Sequence, residues 1–147
     1  MYLLDTNHFS RLILGDSKIR QKIADIGEQN VAISLITQGE VLYMAYNSER
    51  QERNLALVQA YLADIGIYRL NDRVADLYGQ FKADIIRHFG PKDRQKRRKT
   101  KIETVGMSDN DLWIACTALH HNLIVVSTDS DFSRMQAVRA FSLESWI

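Results

Sequence analysis

Short apolar segments alternate along this chain with longer stretches of helical periodicity, and this alternation restricts the fold more than any other feature. The apolar segments predict short strands at residues 2–5, 31–34, 67–69, 123–126 and 140–143. Between them, apolar residues recur every three or four positions, as in amphipathic helices. Strands separated by helices are typical of βαβ units, whose parallel sheet is covered on both faces. The sequence therefore predicts an α/β protein with a mostly parallel central sheet.

The same periodicity predicts six helices, several of which begin or end at residues with capping preferences. They span residues 8–14, 17–28, 37–45, 49–65, 71–89 and 108–120. Ser17, Thr37, Asn71 and Ser108 stand at the predicted starts, where a side-chain oxygen can accept a free backbone N–H. Gly90 and Pro91 end the fifth helix, because proline cannot continue it.

Length and composition narrow the class of protein further. A chain of 147 residues suits one domain, here expected over residues 1–147. The one cysteine, Cys116, excludes a disulfide framework and a cysteine-based zinc cage, and it suits a reducing cytoplasm. The apolar runs are far shorter than the roughly 18 residues of a membrane span, and the N-terminal residues do not follow a signal-peptide pattern. We therefore expect a cytoplasmic protein.

Acidic residues follow the predicted strands or lie at the start of a helix. They are Asp5 after the first strand, Glu40 after the second, Asp111 in the helix that begins near Ser108, and Asp129 and Asp131 after the fourth strand. Because functional sites of open α/β sheets lie beyond the carboxyl ends of the strands, we expect these acids at one edge of the sheet. Clustered carboxylates are the ligands that Mg²⁺ and Mn²⁺ prefer.

Each acid also has a structural interpretation. Thr37 and Glu40 match a capping box, and Ser108 and Asp111 match a weaker one. Asp5 could cap the first helix, and the side chain of Asp129 could close an Asx turn. Taken singly, each structural interpretation accounts for its residue at least as well as a ligand role does. Four independent caps, however, need not converge on one edge of a sheet.

Four segments of the chain form a recognisable set: LLDTN at residues 3–7, Glu40, DLWIACTA at residues 111–118 and VSTDSDF at residues 126–132. In these segments the chain resembles PIN-domain ribonucleases of the VapC toxin type. The resemblance covers nearly the whole chain and implies a three-layer α/β/α fold. It also implies metal-dependent endoribonuclease activity with Mg²⁺ or Mn²⁺, and pairing with a small antitoxin protein. We further expect a homodimer.

By this resemblance, the acidic residues of the family correspond to Asp5, Glu40, Asp111 and Asp129. We expect Asp5 to be the central metal ligand, with Glu40 and Asp111 as further ligands and Asp129 holding a second ion or orienting water. Thr6, Asn7 and Thr128 are expected to fix the carboxylates by hydrogen bonds. Two positions depart from the family pattern: Asp131 could replace Asp129, and Cys116 stands where alanine is usual.

One segment, residues 92–101, is strongly basic although the net charge is only +1. Its cations are Lys92, Arg94, Lys96, Arg97, Arg98, Lys99 and Lys101. Because an acidic catalytic edge repels RNA, we expect these cations to attract the phosphate backbone. A solvated or disordered loop, or a docking site for an acidic antitoxin tail, are the alternatives.

Three other functions fit the same fold class. A haloacid-dehalogenase-type phosphatase uses a strand-end aspartate, but it needs a second aspartate where this chain has Asn7. A receiver domain needs paired N-terminal acids and a strand-end lysine, and the sequence has neither. A catalytically silent module that binds RNA or protein remains open, and the intact set of acids argues against it.

Overall fold

A five-stranded sheet forms the centre of the computed structural model, which describes residues 1–147. The strands are β1 (Tyr2–Leu4), β2 (Val31–Ser34), β3 (Gly66–Tyr68), β4 (Ile124–Val126) and β5 (Leu143–Glu144). Their order across the sheet is β3-β2-β1-β4-β5, and every neighbouring pair is parallel. The predicted parallel sheet is therefore confirmed, although the last strand begins later than the expected 140–143.

Eight helices surround the sheet. They are α1 (Thr6–Ile13), α2 (Ser17–Ile26), α3 (Leu35–Tyr46), α4 (Gln51–Asp64), α5 (Asp72–Phe89), α6 (Arg94–Lys99), α7 (Asp109–His121) and α8 (Ser130–Gln136). The six predicted helices are present, and α6 and α8 are additional. The basic segment that could have been a loop thus contains a short helix, whose first turn is capped by Asp93. None of the helices combines the length and the apolar character needed to cross a membrane.

Two predicted helix starts are wrong. Helix α3 is capped by Ser34, whose Oγ accepts the backbone N–H of Thr37 at 3.1 Å, so Thr37 lies inside the helix. The capping box of Thr37 and Glu40 therefore does not form. Helix α2 is likewise capped by Asp16 rather than Ser17. In both cases a residue with non-helical backbone dihedrals stands earlier in the chain and already has the required oxygen.

The sheet is buried on both faces, because successive side chains of a strand point to opposite sides. Leu3 belongs to a core formed with α5, α7 and α8, whereas Leu4 belongs to a second core formed with α1 to α4. Both leucines are completely buried. Burial of such a side chain contributes about 1.5–3 kcal/mol to the free energy of unfolding. The three-layer α/β/α arrangement is therefore confirmed.

The strand order reverses between β1 and β4. From β1 the chain builds β2 and β3 on one side, and it then crosses to β4 and β5 on the other. In open α/β sheets such a point leaves a crevice beyond the carboxyl ends of the two strands. Asp5 directly follows β1 and Ser127 directly follows β4, so both residues border this crevice.

Candidate active site

Three aspartates gather beside the crevice. One carboxylate oxygen from each of Asp111, Asp129 and Asp131 lies within 4.8 Å of the others. The first turn of α7 supplies Asp111, the N-cap position of α8 supplies Asp129, and the first turn of α8 supplies Asp131. Hard divalent cations such as Mg²⁺ and Mn²⁺ are bound by carboxylate oxygens. The donor set therefore fits the cation that the sequence predicts.

The neighbouring charges act most strongly on Asp111. Burial, a hydrogen bond to Asp131 that favours the protonated form, and the charges of Asp129, Asp131 and Glu40 raise the pKa of Asp111 to about 8. Like charges that share a site oppose ionisation, and a cation placed among them removes this penalty. A divalent cation bound among these carboxylates would therefore favour the ionised form of Asp111.

Asp129 and Asp131 are each held by a backbone N–H. Oδ1 of Asp129 accepts the N–H of Asp131 at 2.9 Å, which caps α8 and closes the Asx turn considered above. Oδ2 of Asp131 accepts the N–H of Ser108 at 2.8 Å and ties α8 to the start of α7. Each aspartate retains a second oxygen, so a structural role and a ligand role are compatible. The structure thus places Asp131 in the cluster together with Asp129.

Asp5 lies next to this cluster and outside its 4.8 Å group. The residue is only 4% exposed. Oδ1 accepts the backbone N–H of His8 at 2.7 Å and lies 3.0 Å from His8 Nδ1, while Oδ2 accepts the hydroxyl hydrogen of Ser127. Oγ of Ser127 in turn accepts the backbone N–H of Asp129 at 2.9 Å. One serine therefore connects Asp5 to the three aspartates.

Glu40 reaches the site from α3. Oγ1 of Thr6 donates to Oε1 of Glu40 at 2.5 Å, and Nδ2 of Asn110 donates to Oε2 at 3.3 Å. Asn110 precedes Asp111 in the chain, and Glu40 contributes to the raised pKa of Asp111. Thr6 follows Asp5, so Glu40 is linked to both of these aspartates through their neighbours. The acids of four separate segments thus occupy one continuous site.

The side chains that hold the carboxylates differ in part from those predicted. Thr6 bonds to Glu40, but Asn7 and Thr128 are exposed and donate no hydrogen bond to any carboxylate. Ser127 and His8 bond to Asp5 instead. The parallel register pairs Leu4 with Val126, and its continuation places Ser127 beside Asp5. This alignment of two strand ends is the signal that could have identified Ser127.

The basic segment lies on the surface, and the connection that follows it leads to Ser108 at the start of α7. Six of its seven cations are exposed, and none of the seven takes part in an ion pair. Arg97 donates to the carbonyl of Lys92 at 2.6 Å. Downstream, Arg134 of α8 donates to the carbonyls of Val105 at 2.7 Å and Gly106 at 3.1 Å. The two bonds of Arg134 hold the connection between α6 and Ser108, which precedes α7.

Comparisons with known proteins agree with this architecture. The family model of the PIN domain matches residues 2–138. Ribonuclease VapC2 of Haemophilus influenzae is 30% identical over 151 residues, covering 99% of this chain and 98% of the relative. Among solved structures, DNA-bound VapBC from Salmonella typhimurium superposes with a TM-score of 0.79 at 24% identity, covering 99% of this chain and 98% of that one.

A toxin–antitoxin complex from Klebsiella pneumoniae has a TM-score of 0.62 at 22% identity, covering 90% of this chain and 91% of that one. At these identities the structural likeness shows a shared fold. The sequence matches go further, because the family model covers residues 2–138 and Ribonuclease VapC2 is 30% identical over 99% of the chain. This chain therefore belongs to the PIN-domain family, together with the VapC ribonucleases.

Proposed function

We propose that this chain, acting as one domain over residues 1–147, is the ribonuclease toxin of a toxin–antitoxin pair. It hydrolyses internal phosphodiester bonds of RNA in the cytoplasm and requires Mg²⁺ or Mn²⁺. The observation that carries this proposal is the continuous acidic site built from four chain segments. The family membership supports the choice of a ribonuclease over other metal-dependent hydrolases.

Asp5, Glu40, Asp111 and Asp129 are the proposed metal-holding residues, and Asp131 joins them because of its place in the cluster. A bound divalent cation would make a water molecule more acidic and offset the charge that develops on the phosphate. The chain itself orients the carboxylates: Thr6 holds Glu40, and Ser127 holds Asp5.

The substrate surface combines a groove with the basic segment. An open groove of about 580 Å³ adjoins the site and is lined in part by Glu40, Asn110 and Tyr43. Tyr43 is 63% exposed there, and aromatic rings offer stacking surfaces to unpaired bases. Cations of residues 92–101 without ion-pair partners would attract the phosphate backbone. Together these features favour an RNA with accessible single-stranded nucleotides.

A small antitoxin protein is the proposed partner, and its support is the similarity to solved VapBC and toxin–antitoxin complexes. We also propose a homodimer. Co-purification of this chain with the product of an adjacent reading frame tests the first proposal. Light scattering of the purified chain tests the second, and a monomeric mass at micromolar concentration would contradict it.

RNA cleavage with matched variants tests the proposed activity. We expect discrete RNA fragments with Mg²⁺ or Mn²⁺, none with EDTA, and at least about 100-fold slower cleavage by Asp5→Asn and Asp111→Asn. Asp25→Asn is the control, because Asp25 lies exposed on α2 and bonds only to Gln21.

Two other outcomes would contradict this proposal and indicate a different function. Metal-independent RNA binding without cleavage would identify a catalytically silent module. Release of phosphate from a small phosphomonoester, with RNA left intact, would identify a phosphatase of the haloacid-dehalogenase type.

A further inference from the structure

His8 is a fully buried imidazole beside Asp5, and it is not among the proposed metal-holding residues. It lies in the first turn of α1 and is 0% exposed. Nδ1 is 3.0 Å from Oδ1 of Asp5, and Nε2 accepts the backbone N–H of Trp146 at 3.4 Å. Both ring nitrogens therefore have a partner, one on the candidate metal ligand and one on a segment 138 residues away.

The contact with Trp146 selects the tautomer of His8. A backbone N–H can only donate, so Nε2 must be the nitrogen without a hydrogen. In the neutral ring the hydrogen is then on Nδ1, which donates it to Asp5. Trp146 is held in place for this contact, since its ring packs edge-on against Tyr2 at 5.2 Å and its Nε1 donates to Glu144 at 3.2 Å.

Two residues then fix the orientation of the Asp5 carboxylate. His8 supplies two hydrogen bonds to Oδ1, from its backbone N–H and from its ring, and Ser127 supplies one to Oδ2. A carboxylate has about four lone-pair directions, so these bonds leave about one free, on Oδ2. Rotation of the carboxylate about its Cβ–Cγ bond would break all three contacts.

We propose that His8 is a positioning residue: its Nδ1–H holds the Asp5 carboxylate in the orientation that binds the divalent cation, and Trp146 sets the required tautomer. This inference rests on the proposed function only in taking Asp5 as a metal ligand. Residues that orient a ligand in this way change metal affinity by about 10–100-fold when they are replaced.

Three substitutions of His8 separate positioning from packing. In His8→Asn the amide nitrogen can occupy the place of Nδ1, in His8→Gln the amide reaches the place of Nε2, and His8→Leu is apolar. We measure the dissociation constant for Mn²⁺ by electron paramagnetic resonance and the stability by urea unfolding, with Asp5→Asn alongside. The expected Mn²⁺ affinity falls about 10–100-fold in the Leu and Gln variants and stays within about 3-fold of the original in the Asn variant.

The outcomes distinguish this inference from the proposed function. If the unaltered chain binds Mn²⁺ and Asp5→Asn does not, but all three His8 variants bind as the unaltered chain does, the positioning role is wrong. The positioning role is also wrong if the Mn²⁺ affinity of the three variants falls only in proportion to their free energy of unfolding. If the unaltered chain itself binds no Mn²⁺, the proposed function is wrong, and the positioning role of His8 is wrong with it.

Trp146 provides a second test that does not alter the buried histidine. Trp146→Ala and Trp146→Pro both remove the indole, but only proline also removes the backbone N–H that contacts Nε2. We expect Mn²⁺ to bind at least about 3-fold more weakly to the Pro variant than to the Ala variant. Equal Mn²⁺ affinities of the two variants would contradict the proposal that the backbone N–H of Trp146 sets the tautomer of His8.

Discussion

The hydroxyl of Ser127 donates a hydrogen bond to Oδ2 of Asp5 across the point where the strand order reverses. Both residues directly follow central strands, β4 and β1, whose register aligns them. The same oxygen of Ser127 accepts the backbone N–H of Asp129 at 2.9 Å. A single side chain thus holds one acid of the site and the turn that carries another.

Replacement of this hydroxyl is expected to affect both stability and catalysis. Ser127→Ala leaves Oδ2 of the buried Asp5 and the backbone N–H of Asp129 without their partner, which costs about 1.5–3 kcal/mol in the free energy of unfolding. We expect cleavage to slow by about 10–100-fold, because the orientation of Asp5 is less restricted. Urea unfolding and RNA cleavage measure the two effects. Ser130→Ala, at the exposed start of α8, is the control and should change neither.

The acidic cluster makes the stability of the metal-free chain depend on pH. In the folded state the pKa of Asp111 is raised to about 8, so between pH 4 and 8 the folded chain binds more protons than the unfolded chain. Its contribution to the free energy of unfolding therefore declines as pH rises through this window. Urea unfolding in EDTA at several pH values measures this decline, and Asp111→Asn should reduce it.

At pH 8 in EDTA, Asp111→Asn is expected to be more stable than the unaltered chain by about 1–2 kcal/mol, because a repelled carboxylate has been removed. Addition of Mg²⁺ should stabilise the unaltered chain and leave the variant unchanged. A variant that is less stable at pH 8 without metal would indicate that Asp111 is a structural residue rather than a ligand.

Ser34 at the start of α3 has a structural role, whereas Glu40 within the helix is a proposed metal ligand, and substitutions should distinguish the two roles. Ser34 caps the helix, so Ser34→Ala should cost about 1 kcal/mol and leave the metal ligands in place. Glu40→Gln, six residues further along the chain, should change the free energy of unfolding by less than about 0.5 kcal/mol and slow cleavage at least about 100-fold. Chemical denaturation and cleavage assays check both. Normal cleavage by Glu40→Gln would remove Glu40 from the proposed site.

The basic segment should control the salt dependence of RNA binding. Each contact between a cation and a phosphate of single-stranded RNA contributes about 0.7 to the slope of log K against log salt. Replacement of the exposed residues Lys96, Arg98 and Lys99 by glutamine should therefore reduce the magnitude of that slope by about 2. Fluorescence anisotropy of a labelled RNA, in a buffer without divalent metal, measures this slope.

A control with the same change in charge is available on other helices. Lys18, Lys22 and Arg53, on α2 and α4, take part in no ion pair. Their triple replacement by glutamine should leave the slope unchanged. An equal loss of slope in both triple variants would show that net charge, rather than the basic segment, governs binding.

Local patterns in the sequence identified most elements of the fold. Strand β1 and helix α5 were evident because burial and helical periodicity are carried by residues close together in the chain. Helix α6 was missed as a helix, since its residues RQKRRK contain no apolar face. Helix α8 is only seven residues long, which is too short for its periodicity to be recognised.

The sequence by itself determined which segments become strands and helices, and it placed Asp5, Glu40 and Asp111 near strand ends and helix starts. Only the tertiary structure decided the partners of these acids: Ser127 instead of Thr128, His8 on Asp5, and Asp131 within the cluster. The reason is geometric. Secondary structure depends mainly on neighbouring residues, whereas a hydrogen bond between residues 122 positions apart depends on strand register and side-chain direction.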